Sequence, residues 1–317
     1  MGNIFAASTP PQDFGTITIP SDPSPEEKLG NPGSLQNLHK ETEDIFPNVF
    51  DGARFTQNMP FSNNFLISHK INLYSQKPGS YRLGATYAGP NVVAPGEAYP
   101  LLMAEIDPSG VQNALVLHQF GSRVKFRFDA QMFQTKFSVA NTQVEYKADN
   151  WTSLIQVVNL KPLSGISVLL TGQFLQKITP SLAVGSELQI QRMRQIPGGQ
   201  LALFSLSAKY IGADYICSGT LGTNGLTMCY SQKASDQLRV GVKVQTDLLM
   251  QQSVAAIGYH ADLPKINLQL RASFDTNWIS SAVLERRLVP LPVTLRLSGS
   301  LNHRDNRFTL GVGFAIE

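Results

Sequence analysis

The chain closes on Asn306–Glu317, "NRFTLGVGFAIE". Phe308, Leu310, Val312, Phe314 and Ile316 are large, apolar and two residues apart. Thr309, Gly311, Gly313 and Ala315 fill the positions between them. A strand sends successive side chains to opposite faces, so this one has a greasy face and a small one. In a soluble sheet the second face would meet water and carry charge. In a membrane barrel the greasy face meets lipid and the other lines a lumen.

The rest of the chain repeats the alternation from about residue 61 onward. In "DQLRVGVKVQTD", Leu238, Val240, Val242 and Val244 oppose Arg239, Gly241, Lys243 and Gln245. In "KINLQLRASFD", Ile266, Leu268, Leu270, Ala272 and Phe274 oppose Asn267, Gln269, Arg271, Ser273 and Asp275. "LPVTLRLSGSLN" sets Leu291, Val293, Leu295, Leu297 and Leu301 against Thr294, Arg296, Ser298, Ser300 and Asn302. "VKFRFDAQM" places Lys125, Arg127 and Asp129 on its polar face. Around residues 111–119 and 151–160 the two faces blur. Short turn signals such as "KPGS", "DPSG", "GTNG" and "DTN" separate the segments. Aromatics (Tyr146, Trp151, Tyr210, Trp278) fall near segment ends, where interfacial girdles lie.

Charged residues are 15% of the chain, against roughly 25% in soluble domains. No apolar run approaches the ~18 residues of a membrane helix. Residues 61–317 hold about 18–20 strands at roughly 13–14 residues per strand and turn. The pattern resolves 18. No blade repeat of a propeller is present. A soluble lipid-binding or scaffold β protein would need a second layer over the greasy faces. The expectation is an all-β transmembrane antiparallel barrel, since closure removes sheet edges.

Residues 1–33 contain six of the 19 prolines and are expected to be disordered. Their start has no basic n-region and no sustained apolar stretch, so no secretory leader is expected. Ala6 stands where the myristoylation motif requires Ser or Thr. In 34–60, Leu35, Leu38, Thr42 and Ile45 recur at helical spacing, predicting a three-turn helix from Ser34, its cap, to Phe46 before Pro47. Cys217 and Cys229 flank "LGTNGL"; a two-residue turn there sends the thiols to opposite faces and excludes a disulfide. The "NWT" at Asn150 reads as a chance sequon match.

No catalytic constellation is present. The five histidines are scattered, and there is no His-Glu-x-x-His, no Walker loop and no G-x-S-x-G. Asp129, Glu187 and Asp275 alternate into the expected lumen, but nothing pairs them for acid–base work. Each is either a solvated lumen side chain or part of a track. No enzyme, metal, cofactor or nucleic-acid partner is expected.

"HKETEDIFPNVFDGARF", "FLISHKINL" and "YRLGATYAG" resemble the opening of the protein-conducting channels of the outer mitochondrial membrane translocase. "KASDQLRVGV", "DLPKINLQL", "DTNWIS" and "LPVTLRLSGSLNHRDNRF" extend the resemblance across residues 34–317. It implies a barrel of the mitochondrial porin type with 19 strands, the first and last parallel. It implies import of nuclear-encoded precursor proteins through the outer mitochondrial membrane. Receptor and small helical subunits, membrane lipids and further copies of the chain are the implied partners. Nineteen against 18 places a merged pair of strands between residues 99 and 148. With an odd number and both chain ends in one compartment, the N-terminal segment must thread the lumen. The family's closing sorting signal maps onto Thr309, Gly311, Phe314 and Ile316.

Charge leaves two channel readings open. Residues 1–60 carry eight acids and three bases, net −5; the whole chain is +3, so residues 61–317 carry +3 − (−5) = +8. That excess favours an anion pore for metabolites of the voltage-dependent type. A precursor channel needs acids for basic presequences. The inserted segment would supply them through Glu41, Glu43, Asp44 and Asp51, with lumen acids adding the rest.

Overall fold

The computed structural model describes residues 30–75, 78–94, 97–134, 136–160, 167–192 and 198–316. The expected disorder of residues 1–33 therefore falls outside the described residues up to position 29. Nineteen strands follow in sequence: β1 Gly52–Ser62, β2 Phe65–Leu73, β3 Ser80–Ala94, β4 Glu97–Ile106, β5 Val111–Phe120, β6 Val124–Phe133, β7 Lys136–Lys147, β8 Trp151–Leu160, β9 Val168–Lys177 and β10 Leu182–Arg192. The second half is β11 Gln200–Ile211, β12 Tyr215–Gly222, β13 Gly225–Lys233, β14 Leu238–Asp247, β15 Gln252–Leu263, β16 Leu268–Asp275, β17 Ile279–Arg287, β18 Val293–Asn302 and β19 Arg307–Ile316.

Each strand pairs antiparallel with its sequence neighbour, and β1 pairs parallel with β19 to close the barrel. A ten-residue strand is about 33 Å long and, tilted by about 45°, spans about 23 Å, the height of an apolar band. All 19 strands of the resemblance are there, but the missing one is not between residues 99 and 148. Four clean strands, β4 to β7, occupy that stretch. The strand without a signal is β1, which begins at Gly52, inside the expected helical region 34–60. Its lipid-side positions, Ala53, Phe55, Gln57 and Met59, include the polar Gln57, and Arg54 and Pro60 interrupt the pattern. Two other expectations shorten: Pro264–Ile266 forms a 3-10 turn ahead of β16, and β18 starts at Val293, leaving Leu291 in the turn.

The register carries one face around the whole barrel. Cys217 lies opposite Tyr230 and Ser218 opposite Cys229, so the pairing sum is odd and the thiols point to opposite faces. Cys217 is exposed on the lipid side and Cys229 is buried, and both are free. Lipid-facing aromatics cluster at one rim: Tyr146, Trp151 and Phe174 in contact, and Tyr210, Tyr215 and Tyr230 stacked at 6.0 Å spacing.

The N-terminal segment crosses the lumen. Asn31 bonds the carbonyl of Ala148 and the Thr152 hydroxyl, at the rim where the odd-numbered strands end. This is also the rim of the last described residue, Ile316. We call it the entry rim. Asp51 accepts from the backbone N–H and hydroxyl of Ser75, at the opposite rim. Between them the chain climbs along the wall. Leu35 and Leu38 pack on Leu175 and Ala183. His39 bonds the hydroxyls of Ser218 and Thr220 at 2.8 and 2.9 Å. The Phe50 N–H donates to Ser298 Oγ at 3.0 Å.

Glycines receive the large side chains. A Cβ on Gly185 would lie 2.8 Å from Leu35, one on Gly241 3.1 Å from Ile45, and one on Gly258 3.1 Å from Phe46. At Gly311 it would meet the Phe50 carbonyl oxygen at 2.3 Å and the ring at 2.7 Å. The segment is not the expected three-turn helix. A 3-10 turn at Leu35–Asn37 and one α turn, α1 (Lys40–Glu43), are joined at Leu38–His39, and Ser34 makes no side-chain cap. So short a helix is marginal alone, and its form follows its packing. The break lets Leu38, Thr42 and Ile45 all stay on a curved wall, where they are 3%, 1% and 2% exposed.

Two outcomes follow from this geometry. A lipid-soluble maleimide labels Cys217 in membranes and leaves Cys229 unmodified, read by mass spectrometry; equal labelling contradicts the face assignment. Gly258→Leu overpacks the site under Phe46 by about 1–3 kcal/mol. Limited proteolysis then cuts within residues 34–51 faster than in the parent barrel, while strand content by circular dichroism is unchanged.

Candidate pore and its internal segment

Lipid does not tolerate charge at its centre, and the strands obey this. Carried around by the register, the lumen face takes every Asp, Glu, Lys and Arg of the described strands except Arg192 and Arg286. Those two sit at the last and next-to-last positions of their strands, where a long side chain reaches the interface. With β1 assigned to the wall, residues 1–51 carry eight acids and two bases, net −6. The barrel then carries +3 − (−6) = +9.

Much of that wall charge is paired. Lys70 binds the buried Glu105, Lys125 binds Glu97 at 3.3 Å, and Arg296 binds Glu285 at 3.1 Å. Six of the seven expected acids fall into three groups. Glu41 and Glu43 are struts: Glu41 accepts from Lys209 at 2.9 Å and Glu43 from Lys243 at 3.0 Å, tying the segment to β11 and β14. Asp129 is clamped by Arg127 at 2.8 Å and by the Asn141 amide at 3.1 Å, while Glu187 accepts from the Gln173 amide. Asp51 and Asp275 are rim groups; Asp275 accepts from the N–H groups of Asn277 and Ile279 and shapes the β16–β17 turn. Asp44 alone among the seven is exposed on the segment with no side-chain bond among the described residues.

The geometry therefore does not gather the seven acids into one continuous lane. It distributes them from rim to rim, most of them engaged. Sequence reasoning missed their partners. Lys209 and Lys243 were legible as polar-face residues, but only the path of the segment says which acids they meet. His39, read as one of several scattered histidines, anchors the segment to β12. Near the end of the chain, Thr309 and Gly311 face the lumen, and Phe314 and Ile316 face lipid.

Comparison with known proteins agrees with this architecture. The family model described as eukaryotic porin matches residues 31–311. A mitochondrial import receptor subunit TOM40 homolog 2 of Drosophila melanogaster is 39% identical over 312 residues, spanning 98% of this chain and 91% of its own length. The TOM40 homolog of Xenopus tropicalis is 36% identical, with all of both chains covered. The human TOM40 homolog is 38% identical over 91% of this chain and 79% of its own. The chain belongs to the eukaryotic porin family, and within it to the group of the TOM40 import subunits.

Proposed function

We propose that this chain is the pore through which unfolded precursor proteins cross the outer mitochondrial membrane, working within a translocase with receptor and small helical subunits and further copies of itself. The near full-length likeness to import subunits carries the reading. The closed 19-stranded barrel supports it, because barrels of similar strand number enclose an aqueous channel. The positive excess of the wall favours the other reading, a metabolite anion pore. Against it stands the acidic segment laid across that wall.

Within this function the acids divide by task. Asp44 meets basic presequences in the open lumen, helped by Asp129 and Glu187. Low-dielectric walls focus the field of a few such charges, and salt screens them over about 8–10 Å. Glu41 and Glu43 hold the segment in place, and Asp51 and Asp275 set the far rim. In planar bilayers, Asp44→Asn shifts the reversal potential toward anions and weakens block by a basic presequence peptide, with the segment still docked. Glu41→Gln acts differently. It removes the carboxylate that the ammonium of Lys209, whose side chain is 8% exposed, binds at 2.9 Å. The cost is about 1–3 kcal/mol, toward the low end because Glu41 is 40% exposed. Protease access to residues 34–51 rises as a result. Unchanged selectivity and block in the Asp44 variant would make the segment a brace only.

The closing strand serves as the address read during assembly, through Thr309, Gly311, Phe314 and Ile316. Packing offers a separate reason for Gly311, since Phe50 occupies the space of its Cβ. The stage of failure tells the two apart. Gly311→Leu and Phe314→Asp should stall before membrane insertion, as seen by carbonate extraction and native gels. The lipid-facing acid itself costs on the order of 2 kcal/mol or less. Normal assembly of both variants removes the address.

A further inference from the structure

Arg239, His260 and Arg271 stand side by side on the lumen face of β14, β15 and β16: Arg239 is opposite His260, and His260 is opposite Arg271. Lys233 of β13 lies on the other side of Arg239. Facing Cβ atoms on neighbouring strands are about 4.5–5.5 Å apart, so the three central groups span about 10 Å. Like charges set opposite one another destabilise a sheet. Several other bases of the lumen wall are joined to acids, as in Lys70–Glu105, Lys125–Glu97 and Arg296–Glu285, and where Lys70 faces Arg82 the Glu105 carboxylate stands beside it.

Here that rule is broken. Lys233 turns to Asp236 in the adjoining turn, at 2.7 Å. Neither arginine makes an ion pair or side-chain hydrogen bond among the described residues. The buried Nε2 of His260 has no partner either. Two acids are near without closing on the group. Asp262 follows on the same face of β15, opposite Gln269. Asp44 of the segment is within electrostatic range of Arg271, as is Lys40 of Asp44. The segment leaves the group open, because Ile45 and Phe46 pack on Gly241 and Gly258, one pair of positions farther from the entry rim.

We propose that Arg239, His260 and Arg271 form an oxyanion-binding site in the lumen wall, between the Phe46 contact and the entry rim, that takes a phosphate group or a carboxylate. Guanidinium forks bind either group with paired, charge-assisted hydrogen bonds, and the imidazole between them adds a donor or an ordered water. An anion here relieves the repulsion along the row and satisfies the unpartnered nitrogen. The site stands on the wall geometry alone, so it holds for a precursor channel and for a metabolite pore. A phosphate-bearing solute and a carboxylate-rich stretch of polypeptide are its two sources.

The test uses the full chain in planar bilayers with potassium chloride, adding inorganic phosphate or a short oligoglutamate peptide to both sides. In the parent channel at least one of them reduces conductance in a saturable way. Arg239→Gln/Arg271→Gln raises the half-blocking concentration about tenfold, the loss of a pair of charge-assisted hydrogen bonds. The control Arg82→Gln/Arg307→Gln removes two lumen charges at the far rim and leaves the half-block within about twofold. Block by phosphate alone identifies the solute source, and block by the peptide alone identifies polypeptide carboxylates. If the glutamine pair forms no channels, Arg239→Lys/Arg271→Lys carries the test: it keeps charge, loses the forks and weakens block about threefold or more. Absence of saturable block, or equal relief by the far-rim control, overturns the site.

Discussion

The parallel seam between β1 and β19 is the constraint on which the rest depends. Inside a bilayer no backbone N–H or C=O can go unpaired, so a sheet there must close on itself. Nineteen hairpin-linked strands bring the first and last together running the same way. Six residue pairs, Gly52↔Gly311 to Gln57↔Ile316, make the join. β1 starts at the rim opposite the chain's end, and with Asn31 held at the other rim the residues between come through the barrel. Their path from Asn31 to Asp51 follows from the parity of the strand count together with that anchor.

Once the segment is inside, the wall has to receive it. Small residues on the lumen face are the means: Gly185, Gly241, Gly258 and Gly311 each lie under a side chain of residues 35–50. In a strand a glycine is ordinarily a weakness, unless another backbone or side chain approaches closely. Gly311, with Gly313 beside it under the same Phe50 ring, makes the lumen face of the last strand small, which is the feature of "NRFTLGVGFAIE" that composition alone leaves unexplained. Two lysines on the wall and two glutamates on the segment then fix the position electrostatically. The segment thus converts part of its negative charge into anchorage and leaves Asp44 free in the lumen.

The wall's charge follows similar logic. Lipid excludes charge from one face, so the other collects it. Most of that charge is locally neutralised, and the exceptions stand out against the pattern. The Arg239–His260–Arg271 row is one. Net charge, which pointed toward a plain anion pore, says little about where a passing ion or peptide meets an unpaired group.

The sequence by itself determined the barrel and, where the alternation is clean, the side a strand turns to lipid, because alternation with a period of two is a local property of the chain. It determined the opposite faces of Cys217 and Cys229 from turn parity alone. The strand it concealed was β1, whose lumen-facing Arg54 and Pro60 and polar lipid-side Gln57 blur the alternation. It also gave residues 34–46 a helical spacing that only part of the segment realises, since a segment this short takes its shape from the surface it packs on. Only the tertiary structure decided which acids are struts, clamps, rim groups or free. Whether a carboxylate is neutralised depends on groups brought beside it from 100 or more residues away, as Lys209 is to Glu41 and Lys243 to Glu43, and no local pattern encodes that meeting.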